Sequence, residues 1–176
     1  MKIALFVMGG LAMFCKGGEI VFSDMFESRD EKKWWWTKEF QLAEKKGVDG
    51  SNAMMQIATA KWDLSWTKNF PVKGNTKYIL SIMIRPEGKL DLAQFDKNRI
   101  GIFRFGCKEK GQQKNFYRDR ALVYLKRAND LSAKNEWQKV TLSFTTPAAA
   151  ETGSIGIWCP VPGKLLFDNL ILQEIQ

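Results

Sequence analysis

A chain of 176 residues, 45% hydrophobic, has room for one domain with a sizeable core. It carries 27 Lys and Arg against 19 Asp and Glu and no His, which excludes Ser-His and Cys-His nucleophile pairs and His-based metal centres. Its three Cys show no Cys-x-x-Cys spacing, so neither redox work nor zinc is indicated.

The chain opens on Met1-Lys2, an apolar run from Ile3 to Phe14, then Cys15-Lys16-Gly17. This reads as a secretory signal cleaved after Gly17, with an apolar run too short to span a bilayer. A second reading makes Cys15 a lipid-bearing residue, against the bulk of Phe14 where a small residue is expected. Residues 1–17 are thus the signal and 18–176 one exported domain, with no later segment resembling a transmembrane span. Losing Lys2 and Lys16 leaves 25 basic residues against 19 acidic, a surplus of six. The basic residues are scattered: Lys32-Lys33 and Lys45-Lys46 are short pairs, and Lys108 to Lys114 a sparse loop. The surplus reads first as an ordinary charged surface, and second as a preference for an acidic polysaccharide or anionic envelope. Nucleic acid is not an expected partner of an exported chain. Cys107 and Cys159 remain, as a disulfide or as a buried reduced pair.

Ile20 to Glu27 reads as the first strand and Ser28-Arg29-Asp30 as a turn. Trp34-Trp35-Trp36 opens a segment of mixed periodicity to Glu44, and Gly47 to Asn52 is a loop of turn formers. Ala53 to Ala58 is a strand. Trp62 to Phe70 alternates, with Trp62, Leu64, Trp66 and Phe70 on one face, and Tyr78 to Arg85 places Tyr78, Leu80, Ile82 and Ile84 together. Leu90 to Lys97 suits one short helical turn. Arg99 to Cys107 and Arg120 to Lys126 are strands around a polar loop, and Trp137 to Thr145 and Ser154 to Cys159 follow.

The last strand, Gly163 to Ile175, is apolar almost throughout, as in a central strand covered on both sides. Its carboxylate, Asp168, needs a partner there, because a buried unpaired charge is costly. A cation shared with Glu27 of the first strand is the expected one, which brings the two ends of the domain side by side. About ten strands on short turns, with no long helix, predict an all-β antiparallel two-sheet sandwich.

Several short stretches occur in a recognisable order: Phe26-Glu27 and a following Trp, Gly50-Ser51-Asn52-Ala53, Tyr78-Ile79-Leu80-Ser81, Trp137-Gln138-Lys139-Val140 leading to Phe144-Thr145, and Phe167-Asp168-Asn169-Leu170. From about residue 19 onward the chain resembles carbohydrate-binding modules of the family 4, 9 and 22 type, which have the galactose-binding-like jelly roll. The resemblance implies a structural calcium near the chain ends, held by Glu27 and Asp168 with Asp49 and Asn52 from the loop. Salt bridges or backbone hydrogen bonds to Glu27 and Asp168 are the alternative. It also implies sugar held on a concave sheet face or in edge loops. Unlike typical members, the chain is expected to act with its own signal and no fused catalytic domain.

Seven Trp and three Tyr suit sugar binding, since a pyranose C–H face stacks on an aromatic ring. Aromatics on the polar phase of a strand are the informative ones. Trp158 is first, because Ile157 and Cys159 hold the inward phase; Tyr124, Tyr117 and Trp35 follow. Arg85, Arg104, Arg120 and Gln56 are expected to hydrogen-bond the ligand on the same face. Trp62, Trp66 and Trp137 share a phase with aliphatic residues and read as core. No strand carries two acids two positions apart, the simplest route to a retaining glycosidase pair. The expectation is a monomeric, exported, non-catalytic glycan-binding protein, its partner a polysaccharide or cell-surface glycan. The alternatives are a structural or adhesion domain contacting protein, and a jelly-roll lyase using Tyr with Arg or Lys.

Overall fold

The computed structural model describes residues 18–59, 64–90, 101–109, 122–124, 135–159 and 161–175, with backbone alone at 101, 102 and 122–124. Its strands are β1 (Ile20–Asp24), β2 (Trp34–Trp35), β3 (Phe40–Ala43), β4 (Ala53–Ala58), β5 (Ser65–Thr67), β6 (Phe70–Pro71), β7 (Lys77–Pro86), β8 (Gly101–Glu109), β9 (Leu122–Tyr124), β10 (Gln138–Thr145), β11 (Ala150–Ile157) and β12 (Gly163–Ile175). They form two six-stranded antiparallel sheets. Sheet A runs β10-β7-β12-β4-β3, with β1 added to β12; sheet B runs β2-β5-β11-β8-β9, with β6 added to β11. Among the described residues there is no α-helix, only a 3-10 turn at Val48–Gly50, and no helix long and apolar enough to cross a membrane.

Strand β12 is central in sheet A, as its apolar sequence predicts. It pairs with β7 along most of its length, with β4 over its first half and with β1 over its second. Leu165 and Phe167 point into the core, and so do Leu170 and Leu172. Strict alternation cannot place both pairs on one face. A bulge between Asp168 and Ile171 corrects the phase, with Asn169 in the left-handed region at φ 48°. The bulge therefore keeps four large side chains inside while leaving Asp168 beside a kink. The pairing of Phe22 with Leu172 and Asp24 with Leu170 brings the two ends of the domain together.

The core fills the space between the sheets. Tyr78, Leu80, Ile82 and Ile84 of β7 and the β12 residues pack in one cluster with Phe103 and Phe105 of β8 and Ile155 and Ile157 of β11. Within the Trp34-Trp35-Trp36 run, Trp34 is buried and its ring stacks on Trp36 at 4.6 Å, while Trp35 points outward. The Trp34 indole N–H donates to Asp24 Oδ2 at 2.8 Å, and the Phe26 N–H donates to Oδ1 at 2.8 Å, so a buried carboxylate near the chain start is fully used in structure.

Two expectations need correcting, and one question left open is answered. The segment from Trp62 to Phe70 is not one strand: β5 and β6 are separate, and the break at Lys68-Asn69 puts Trp66 and Phe70 on opposite faces. Ser65 and Thr67 take the inward positions because their hydroxyls serve backbone groups, Ser65 accepting from the Thr37 N–H at 3.0 Å and Thr67 from the Ile155 N–H at 2.8 Å. Trp137 likewise lies outside the main core, against the outer side of sheet A with Ala43, Ala53, Met55 and Leu166. Cys107 and Cys159, for which the sequence left a disulfide and a reduced pair both open, are not bonded to each other. Burial pushes the Cys159 thiol up to about 11, and its Sγ donates to the Val161 carbonyl at 3.2 Å. Trp62 and all but the first residue of the expected helical turn from Leu90 to Lys97 lie outside the described residues, as does the expected signal.

Phe167 is fully buried at the meeting point of β7, β12 and β4, so Phe167→Ala is expected to lower unfolding free energy by roughly 3–5 kcal/mol in urea titration.

Candidate functional site

Two places gather chemistry. The first is the junction of β12 with the loop between β3 and β4. The Asp168 residue is completely buried. Its Oδ2 accepts from the Val48 N–H at 2.7 Å, and its Oδ1 from the Asn169 N–H at 2.7 Å. The Ser51 hydroxyl lies 3.2 Å from Oδ2 and 2.6 Å from the Val48 carbonyl, and its single proton serves one of them at a time. Gly47 is fixed by close approach: a Cβ there would sit 2.8 Å from Asp168 Oδ2 and overlap Ser51 Oγ and the Asn52 carbonyl. The loop thus docks on the strand through one carboxylate.

Glu27 joins from the chain start. The Asn52 N–H donates to Glu27 Oε2 at 3.3 Å, and Asn52 Nδ2 donates to the Glu27 carbonyl at 3.0 Å. Burial pushes the Asp168 carboxyl above the usual carboxylate range; the three donors oppose this, and the nearby Glu27 charge adds to it. Among the described residues neither carboxylate has a salt bridge. Four non-glycine residues here adopt left-handed backbone, Phe26, Lys45, Asp49 and Asn169, at φ 48–57°. Such strain persists only where the surroundings hold it.

The predicted metal set is therefore assembled in part. Glu27, Asn52 and Asp168 come together, whereas Asp49 stands exposed on the 3-10 turn, and Asn52 Oδ1 is taken by the Lys45 N–H at 3.1 Å. Among the described residues no three Asp, Glu, Cys or His side chains gather, so an ion here would rest on two carboxylates and on neutral oxygens. Calcium, which takes carbonyl oxygens readily and tolerates irregular geometry, fits that donor chemistry.

The second place is the outer face of sheet B. Trp35 pairs with Trp66 across β2 and β5, Trp66 with Gly156 across β5 and β11, and Gly156 with Arg104 across β11 and β8. These four residues form one row across four strands. Trp35 is 52% exposed. The Arg104 guanidinium lies over the Trp66 ring, 4.6 Å from its centroid, a cation–π contact. Gly156 makes this meeting possible. A Cβ there would come within 3.1 Å of Trp66 Cε3 and 3.2 Å of Leu64 Cδ1.

Of the predicted sugar contacts, Trp35 and Arg104 fall on this face. Arg85 does not. It lies on the outer face of sheet A, its guanidinium 5.0 Å from the Trp137 ring centroid and its Nη2 donating to the Lys46 carbonyl at 3.0 Å. Trp158 is buried at 3% exposure instead of outward, because β11 ends at Ile157 and the alternation stops with it. Gln56 is also fully buried; it faces the core and accepts from the Cys159 N–H, tying the end of β11 to sheet A. Tyr124 lies in β9 opposite Gly101, with its side chain outside the described residues, and Tyr117 and Arg120 lie wholly outside them. Trp66 and Gly156 were not legible as site residues. The polar pair Ser65 and Thr67 on either side of Trp66 was the signal, masked by reading the segment as one continuous strand.

No protein-family model matches the chain, and no curated protein matches it in sequence. Solved structures do match in fold. The family 22 carbohydrate-binding module and glycoside hydrolase modules of Clostridium thermocellum endo-1,4-β-D-xylanase 10B, complexed with xylohexaose, superpose with TM-score 0.62 at 15% identity, over 90% of this chain and 29% of that one. This chain thus spans less than a third of that two-module protein. The family 22 xylan-binding domain of Paenibacillus barcinonensis Xyn10C gives 0.55 at 13% identity, over 93% of this chain and 99% of that one. The K1 cleaved adhesin domain of Lys-gingipain from Porphyromonas gingivalis gives 0.51 at 9% identity, over 88% and 98%. The fold is that of family 22 carbohydrate-binding modules, a jelly-roll β-sandwich.

Gly156→Val is expected to separate Trp66 from Arg104, changing near-UV circular dichroism while far-UV signal persists, and to cost roughly 1–3 kcal/mol in denaturant titration.

Proposed function

We propose that this chain is an exported, non-catalytic carbohydrate-binding protein that grips a polysaccharide on the outer face of sheet B, with a calcium ion bound between Glu27 and Asp168. The observation that carries the reading is the cross-strand row Trp35-Trp66-Gly156-Arg104. The exposed Trp35 indole offers a sugar ring an apolar surface, and the Trp66–Arg104 stack beside it extends that surface with a cation. The glycine at the centre lets the Arg104 guanidinium reach across to the Trp66 ring, so the row presents one joined aromatic and cationic surface. The fold likeness to xylan-binding domains makes a xylan-type β-glycan the first ligand to try.

The calcium reading rests on a different observation: two adjacent carboxylates, one of them buried, with no salt bridge among the described residues. A cation would relieve the repulsion that raises the Asp168 carboxyl and would hold the β3–β4 loop against β12. Export rests on the first 17 residues, with their short apolar run and small-residue end. The absence of His removes Ser-His and Cys-His nucleophile pairs, and no strand carries two acids two positions apart, which together support a binding role over hydrolysis. The adhesion alternative draws on the fold likeness to an adhesin domain.

Affinity electrophoresis and calorimetry against xylan and a panel of other glycans test the binding face. Trp35→Ala and Trp66→Ala are each expected to weaken binding at least about tenfold, or ~1.4 kcal/mol, with the fold intact by far-UV circular dichroism. Wild-type affinity in both variants would remove this face from the account, and binding to no glycan at all would favour a protein-contacting domain.

A further inference from the structure

We infer that the outer face of sheet A is a second binding surface, separate from the aromatic row, and that it takes a uronate-bearing polysaccharide. Three cations lie on one diagonal of that face. Lys139 of β10 stands opposite Met83 of β7, Arg85 is the next outward residue along β7, and Lys164 of β12 is level with Glu87, whose N–H donates to the Lys164 carbonyl at 3.0 Å. Diagonal neighbours on adjacent antiparallel strands are about 7–8 Å apart, so the line runs for roughly 15 Å across three strands.

Lys139 and Lys164 are exposed, and among the described residues neither has a salt bridge. The acids nearby do little to cancel them. Glu87 is engaged by Lys46 at 3.1 Å, Asp168 is buried beneath the β3–β4 loop, and exposed Glu136 lies at the margin ahead of β10. The line is flanked by Trp137, partly buried under the Arg85 guanidinium. The Trp137 Nε1 is enclosed and has no hydrogen-bond partner among the described residues. An oxygen-rich ligand that draws Arg85 aside gives that donor an acceptor, which a buried polar group otherwise lacks at a cost.

The charge pattern selects the occupant. Two hydrated ammonium groups at the ends of the line, with a guanidinium between them, offer little to a neutral sugar but match an extended chain bearing carboxylates at intervals. Arg85 adds a planar donor pair suited to one carboxylate.

The experiment uses the full chain and polygalacturonate as probe, by affinity electrophoresis and calorimetry in low salt. Wild type is expected to bind, more weakly as ionic strength rises past 0.1 M, where the screening length falls to about 10 Å. The double variant Lys139→Glu/Lys164→Glu is expected to lose roughly tenfold or more of that affinity while keeping wild-type binding to any neutral glycan the aromatic row takes. Trp66→Ala is expected to leave polygalacturonate binding unchanged. No binding by wild type, full binding by the double variant, or loss on Trp66→Ala would each overturn the second surface. Because both lysines are exposed, circular dichroism should show both proteins equally folded.

Discussion

One buried carboxylate organises this sandwich. Asp168 sits in the middle of the strand that joins sheet A's two halves, at a bulge without which four core side chains would not share a face. Taking an ionised carboxylate out of water costs several kcal/mol unless donors or a cation compensate. The Val48 and Asn169 amides and the Ser51 hydroxyl compensate in part, and their geometry fixes the β3–β4 loop, down to a glycine at position 47 where no side chain fits. The loop in turn carries Asn52 to Glu27, so the chain's beginning, a loop and its last strand meet at one charge.

The same sheet architecture presents two unlike outer faces. On sheet B, Trp35, Trp66, Gly156 and Arg104 make an aromatic row with a cation at one end. On sheet A, Trp137 is covered by Arg85, and Lys139 and Lys164 stand exposed together with small polar residues such as Thr141 and Ser143. Each face has one Trp–Arg stack, yet they differ in what remains exposed: a large indole on one, hydrated ammonium groups on the other. Stacking on rings and attraction of charge respond oppositely to salt, so the two surfaces are separable in solution.

The fold was largely legible in the sequence because its signals were long. The thirteen residues of β12 and the alternation of Tyr78 to Ile84 specify central, core-facing strands whatever surrounds them. The need to compensate a buried charge at Asp168 was legible too, and the Val48, Asn169 and Ser51 donors that meet it correspond to the hydrogen-bonded alternative to a shared cation. The face proposed for binding was less legible, and the reason is phase. A single break at Lys68-Asn69 reverses the direction of Trp66 relative to Phe70 with no glycine or proline inside it, and the end of β11 at Ile157 turns Trp158 inward two residues before Pro160. Arg85 and Arg104 share a residue type and a strand-like context, but which sheet each belongs to depends on long-range pairing. Gly156 is informative only once Trp66 and Arg104 are known to flank it.

The central claim, that the Asp168 carboxylate and Glu27 share a calcium ion which locks the domain closed, is met most directly by thermal unfolding of the protein in calcium and in chelator. At calcium a hundredfold above its dissociation constant, ligand linkage of about 2.7 kcal/mol should raise the midpoint by roughly 5–10 °C over chelator, and Asp168→Asn should abolish the difference. Identical melting of the wild type in calcium and in chelator would contradict it.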